Sequence, residues 1–102
     1  MFKLDYFQKS LGGIGADNDS NTFRILEDLY SRSNRHYHNQ GHIAYCLTEF
    51  QKYRHLADFP DEVEIAIWFH DAIYDTTSTD NEEKSAELAQ QRLSLLLSLI
   101  HI

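Results

Sequence analysis

Apolar positions recur at helical spacing in several blocks along the chain, separated by polar or glycine-rich breaks. Phe2, Leu4, Phe7 and Leu11 form a weak recurrence that predicts a short amphipathic helix over residues 1–11. Gly12-Gly13-Ile14-Gly15 is expected to break it, and residues 16–21 are polar and turn-like. From Asn21 or Thr22 the pattern is firmer. Phe23, Leu26, Leu29 and Tyr30 make one apolar face, predicting a helix that ends between Ser31 and Asn34. Arg35-His36-Tyr37-His38-Asn39 reads as a polar connector, with Asn39 placed to cap a second firm helix. That helix is predicted to run from about Gln40 to Leu56. Ile43, Leu47, Phe50 and Arg54 share its stripe, Cys46 and Tyr53 flank it, and His42 sits at its inner edge.

Asp58-Phe59-Pro60-Asp61-Glu62 is a strong start signal, because proline suits a first helical turn and the acids complement the helix dipole. Val63, Ile65, Ala66, Ile67, Trp68, Phe69 and Ile73 come next. A segment apolar nearly all round predicts a buried central helix. His70 shares a face with Val63, Ala66, Ile67 and Tyr74, so it is expected to point into the interior. Residues 76–80 read as a loop, and either Thr79 with Glu82 or Asp80 with Glu83 supplies a capping box for a last helix. The buried face of that helix is expected to be Ala86, Ala89, Leu93 and Leu96. The fold class predicted is all-α, a bundle of four to five helices.

The last block departs from this pattern. From Leu93 to Ile102 the apolar residues run nearly unbroken, without a cap or stop signal, and such a surface calls for a cover. The chain is therefore expected to divide into a short helix with a glycine-rich linker (1–20), a partial helical domain (21–92) and a non-native apolar tail (93–102).

Composition narrows the function classes. With 42% hydrophobic and 13% aromatic residues, the 102-residue chain has the makeup of a globular domain, not of a disordered one. A net charge of −7 disfavours a nucleic acid polymer as partner, since phosphate-backbone binders show basic patches. It leaves room for a small anionic substrate, because one bound cation reverses the local sign. Cys46 is alone and cannot form an internal disulfide, which makes a reducing cytoplasm the default. The N-terminus has charges within its apolar pattern and no signal-peptide core, and no run of about 18 apolar residues suggests a membrane span.

The candidate chemistry lies at Phe69-His70-Asp71-Ala72-Ile73-Tyr74-Asp75, with His38 and His42 upstream at a spacing of one turn. Imidazole and carboxylate together suit Mn, Fe, Co, Ni, Zn or Mg better than a soft metal. Adjacent helical residues point about 100° apart, so His70 and Asp71 reach one ion only where the helix end faces a cleft. Taken singly, each histidine also fits a packing role with a backbone or tyrosine partner, Asp71 a helix-end role, and Asp75 a cap. A buried His-Asp pair weighs against that simpler account, because an unpartnered buried carboxylate is costly.

The blocks Tyr30-Ser31, Arg35-His36-Tyr37-His38-Asn39-Gln40-Gly41-His42-Ile43, Phe69 to Asp75, and Asn81-Glu82-Glu83-Lys84-Ser85-Ala86 occur in order within residues 22–92. Together they resemble the HD-domain superfamily, and more narrowly a bacterial group of metal-dependent HD phosphohydrolases. The resemblance implies a divalent metal held by a first histidine, matched by His42, by an adjacent pair, matched by His70 and Asp71, and by a distant aspartate. No aspartate follows Asp80, so that last ligand is absent from this chain. It implies further that Asp75 orients the attacking water as general base, and that Arg35 and His38 contact a phosphate. Asn81 and Glu82 would act in an outer ring or as caps, Tyr37 and Tyr74 would pack at the rim, and Lys84 would be a solvated surface residue. The implied activity is metal-dependent hydrolysis of phosphoester bonds in nucleotides or other small phosphorylated metabolites. The alternative is a noncatalytic HD-like helical module that binds a ligand or partner. The expected partners are a small phosphorylated substrate, no nucleic acid polymer and no membrane, with a homodimer left open.

Overall fold

The structure is a computed structural model in which residues 2–32, 39–73 and 79–97 are described, with side chains as far as residue 93. Arg35, Tyr37, His38, Tyr74 and Asp75 lie outside the described residues. Among the described residues the chain is all-α: α1 (Leu4–Gly13), α2 (Ser20–Tyr30), α3 (Gln40–Tyr53) followed by a 3-10 turn (Arg54–Leu56), α4 (Pro60–Phe69) and α5 (Asn81–Leu97). None of these helices is long and apolar enough to cross a membrane.

The helix ends obey local chemistry. α1 does not stop at Gly12 as the glycine run predicts. It continues through Gly13 and closes with Ala16 N–H on Leu11 O at 2.9 Å and Gly15 N–H on Gly12 O at 3.1 Å. These two bonds form a Schellman motif, and Gly15 takes its left-handed position at φ 78. α2 starts at Ser20 because the Asp19 side chain accepts the Asn21 N–H at 3.0 Å. Asn39 caps α3 as expected, accepting the His42 N–H at 3.0 Å. Pro60 occupies the first turn of α4. α5 takes the second of its two possible start registers, with Lys84 N–H donating to the Asp80 carbonyl at 3.1 Å.

α4 is the central helix, packed against α1, α3 and α5. Trp68 on α4 is fully buried, with ring centroids of Phe2, Phe7 and Phe23 at 5.2, 5.1 and 6.3 Å. The Tyr30 hydroxyl donates to the Trp68 carbonyl at 2.7 Å, tying α2 to the same point. Aromatic pairs of this kind add about 0.5–1.5 kcal/mol each beyond simple burial. The inward face of α4 is thus Glu64, Ile65, Trp68 and Phe69.

Two expectations need correction. His70 does not point into the interior: α4 ends at Phe69, and the His70 side chain in the turn beyond it is 41% exposed. Val63 and Ala66, which share its face, are exposed as well, because the bulky aromatics claim the opposite side. The buried stripe of α5 is also rotated from the expected one. Ala86 is exposed, whereas Ser85 is buried and Leu88, Ala89 and Leu93 pack against the core. The Ser85 hydroxyl accepts the Ile73 N–H at 2.9 Å and donates to the Ile73 carbonyl at 3.2 Å, which docks α5 on the turn after α4. The Leu96 side chain lies outside the described residues.

Candidate metal centre

Two chain segments bring the ionisable groups together. α3 presents His42 in its first turn, held by the Asn39 cap, and Cys46 one turn later with Sγ 3.5 Å from His42 Nε2. Ile43 and Leu47, fully buried beside them, fix that face of α3 against the core. The second segment is the turn after α4, closed by Ala72 N–H on the Phe69 carbonyl at 2.9 Å. His70 keeps helical backbone angles at the C-cap (φ −60, ψ −29), and Asp71 follows it in the turn.

Asp71 Oδ2 lies 3.4 Å from His42 Nε2 and 3.2 Å from His70 Nε2. The two imidazole centroids are 5.9 Å apart. His70 Nδ1 faces the Ile67 carbonyl at 2.7 Å and, as the only possible donor of that contact, carries a proton. In the neutral ring Nε2 then presents a lone pair toward the Asp71 carboxylate. Orientation of a ligating imidazole through its other nitrogen is the usual support of a metal ligand. The ligand atoms of His42, Cys46 and His70 lie within 4.8 Å of one another, and this group could hold a metal ion.

Burial pushes the Cys46 thiol pKa up, and the Asp71 charge adds to the rise. Cys46 therefore lacks the depressed pKa of a nucleophilic cysteine, which argues against covalent thiol catalysis.

The cluster opens on a groove of about 440 Å³ between α4 and α5, lined by Ala66, Phe69 and Ala89 together with His70, Asp71 and Glu82. That size falls within the range of small-molecule sites, roughly 300–1,000 Å³. Lys84 stays on the surface, its ammonium 3.6 Å from Asp80.

The structure thus brings His42, His70 and Asp71 to one place and adds Cys46, which sequence reasoning places only beside an apolar stripe. The available signal is the four-residue step from His42, which sets both side chains on one helix face. Asp75, Arg35 and His38 fall outside the described residues.

A second polar cluster sits further back on α4. The Glu64 carboxylate is 5% exposed and accepts from Ser10 at 2.7 Å, Tyr6 at 3.0 Å, Gln51 at 2.8 Å and Arg54 at 2.7 Å. Arg54 also pairs with Asp61, and Trp68 Nε1 donates to Ser10 Oγ at 3.2 Å. Burial alone would raise the Glu64 pKa, but the hydrogen bonds from Ser10, Gln51 and Tyr6 and the Arg54 charge outweigh it, leaving the pKa below its ordinary value. Burial, with the Glu64 hydrogen bond and charge, pushes the Tyr6 phenol well up.

Neither family models, curated proteins nor solved structures give a match to this chain.

Proposed function

We propose that this chain is a metal-dependent phosphohydrolase of the HD type, acting on a small phosphorylated substrate such as a nucleotide. The observation that carries the reading is Asp71 Oδ2, set 3.2 and 3.4 Å from the Nε2 atoms of His70 and His42. A divalent cation there supplies Lewis-acid polarisation of a phosphoryl oxygen and acidified water. The chain's own part is positional. The Asn39 cap holds the start of α3 that bears His42, and the Ile67 carbonyl holds the His70 ring. Asp71 supplies negative charge that offsets the cation. In this reading Asp75 is the general base, and Arg35 and His38 receive the phosphate, roles that rest on the sequence resemblance. The groove beside Phe69 and Ala89 accommodates the nonreacting part of the substrate.

The same reading includes a cytoplasmic setting. A homodimer is not required by it, since His42, His70 and Asp71 come from one chain. The apolar walls of the groove favour one competing reading, a noncatalytic helical module that holds a ligand. Release of inorganic phosphate from a panel of small phosphoesters, with Mn²⁺, Co²⁺, Ni²⁺, Zn²⁺ or Mg²⁺, separates the two. Turnover that disappears in His70→Ala while the helical content persists supports the enzyme. Metal uptake without turnover on any phosphoester sinks it and leaves the binding module.

A further inference from the structure

We propose that Cys46 is itself a metal ligand, so that the site is an N2SO set of His42, His70, Cys46 and Asp71 that selects a tetrahedral, zinc-class ion. The proposal rests on the reading that His42, His70 and Asp71 hold a divalent ion. It goes beyond that reading by adding a fourth donor from α3 and by committing to the kind of metal.

Donor spacing decides between geometries. With metal–nitrogen and metal–oxygen bonds of about 2.0–2.1 Å and a metal–sulfur bond of about 2.3 Å, tetrahedral ligands stand about 3.3–3.4 Å apart for N and O, and about 3.6 Å for N and S. Oxygen and nitrogen ligands around an octahedral ion at about 2.1 Å stand closer, at about 3.0 Å. Here the distances are 3.4 and 3.2 Å for the two His-Asp pairs and 3.5 Å from Cys46 Sγ to His42 Nε2. All three are longer than the octahedral spacing, and those at His42 match the tetrahedral one. His42 Nε2 is the hub, with the thiol on one side and the carboxylate on the other. The ligand atoms of His42, Cys46 and His70 lie within 4.8 Å of one another, and Asp71 joins them through its contacts with the two histidines.

Ligand chemistry points the same way. Magnesium and calcium take oxygen ligands and discriminate against thiolate, whereas zinc accepts imidazole, thiolate and carboxylate in one tetrahedral shell. His42 and Cys46 are carried one turn apart on one helix whose inner face is immobilised by Ile43 and Leu47. The two donors are thereby presented together, without a loop to order on binding.

Cys46 is the sole cysteine, which makes the test clean. Metal-stripped protein is titrated with Co²⁺ as a spectroscopic probe, then with Zn²⁺ in competition. The expected wild-type spectrum has intense visible bands of tetrahedral cobalt and a near-ultraviolet thiolate-to-cobalt charge-transfer band. Cys46→Ser should lose the near-ultraviolet band and weaken Zn²⁺ binding by at least the roughly 10–100-fold that loss of an outer hydrogen-bond partner causes. Its far-ultraviolet circular dichroism should match wild type. In unmutated protein, Zn²⁺ should also protect the thiol from alkylation. Weak visible bands without charge transfer would overturn the role of Cys46 while leaving His42, His70 and Asp71, and the phosphohydrolase reading, in place. Charge transfer together with no phosphoester turnover would do the reverse, keeping Cys46 as a ligand and removing the enzyme. Absence of Co²⁺ uptake overturns the proposal outright.

Discussion

Two polar clusters lie along α4, and they are built on opposite principles. Around Glu64 hydrogen-bond donors match acceptors: Ser10, Tyr6, Gln51 and Arg54 meet the two carboxylate oxygens, filling roughly the four lone-pair sites a carboxylate offers. Around Asp71 the converging groups are ones that can ligate a cation, two imidazoles, with the Cys46 thiol beside His42. The Glu64 carboxylate itself is buried, whereas the His42 and His70 side chains of the second cluster are 36% and 41% exposed. A protein interior tolerates a carboxylate when donors surround it, so the Glu64 cluster is complete as a structural element. Imidazole, thiol and carboxylate groups gathered at an accessible helix end make a candidate cation site. The same helix therefore carries a structural lock in its middle and a candidate metal centre at its end.

The largest effect that tests this contrast is Glu64→Ala. Removing one partner of a buried ion pair costs about 3–5 kcal/mol, and the partial exposure of Arg54 places the expectation near the lower figure. Urea denaturation reads it directly, and a loss below about 1 kcal/mol would mean that the lock holds little. His42→Ala, measured in metal-free buffer, should change stability by less than about 1 kcal/mol, because the ring is 36% exposed.

Metal addition should close most of that gap. A ligand that binds only the folded state at 100 times its Kd stabilises by about 2.7 kcal/mol. Wild type and Lys84→Ala should show this shift with Zn²⁺, whereas His70→Ala and Asp71→Ala should show none. Glu64→Gln, if it folds, should retain the full increment on a lower baseline. A metal-dependent shift that survives in His70→Ala would dissolve the distinction between the two clusters.

How much of this is legible in the sequence depends on whether a feature is local. The spacing of Phe23, Leu26 and Leu29, the Asn39 cap and Pro60 in a first turn are each local, and α2, α3 and α4 start or run close to where they indicate. The outward direction of His70 is not legible. Periodicity groups His70 with Val63 and Ala66 but does not say that Trp68 and Phe69 claim the core side and leave this face exposed. Cys46 gives no sign of a metal role on its own, because its relation to His70 and Asp71 exists only once α3 packs across α4. Glu64 reads as one acid in an apolar run. Its partners Tyr6 and Ser10 come from α1, more than fifty positions away, so no sequence window contains the reason for its burial. The α5 stripe departs from its apolar pattern for a similar reason: Ser85 is buried because its hydroxyl meets the Ile73 backbone, not because it is apolar.

Acidification separates the clusters with a smaller effect. The folded-state pKa of Glu64 lies below its ordinary 4.5. A depressed carboxylate contributes stability that is fully present above the unfolded value and is lost as pH falls through the folded one. The metal-free chain should therefore lose stability as pH drops below about 4.5, and Glu64→Gln should show a flatter slope over that interval. Asp19 has the same sign: burial would raise its pKa, but bonds from Thr22 and Asn21 and the Arg92 charge bring it down. Equal slopes in wild type and Glu64→Gln would assign the acid sensitivity to Asp19 and other groups.

The smallest effect couples stability to the metal centre through a single cap. The Asn39 side chain accepts the His42 N–H at 3.0 Å, so it fixes the first turn of α3 and the backbone that carries a ligand. Replacing an N-cap asparagine with alanine costs about 1 kcal/mol, and Asn39→Ala should lower stability by that amount. Asp19→Ala removes the corresponding cap of α2, which bears none of the four donors. Asp19→Ala also removes the Thr22 and Arg92 contacts and should cost more stability, yet the two variants should differ the other way in metal binding. Asn39→Ala should weaken Zn²⁺ binding by up to the roughly tenfold that about 1.4 kcal/mol represents, and Asp19→Ala should leave it unchanged. Isothermal titration at a temperature where both variants remain folded measures the difference. Equal losses of Zn²⁺ affinity would mean that the start of α3 does not hold His42 in place. The metal centre would then depend on the stability of the whole bundle, and not on the local order of the turn that carries its first histidine.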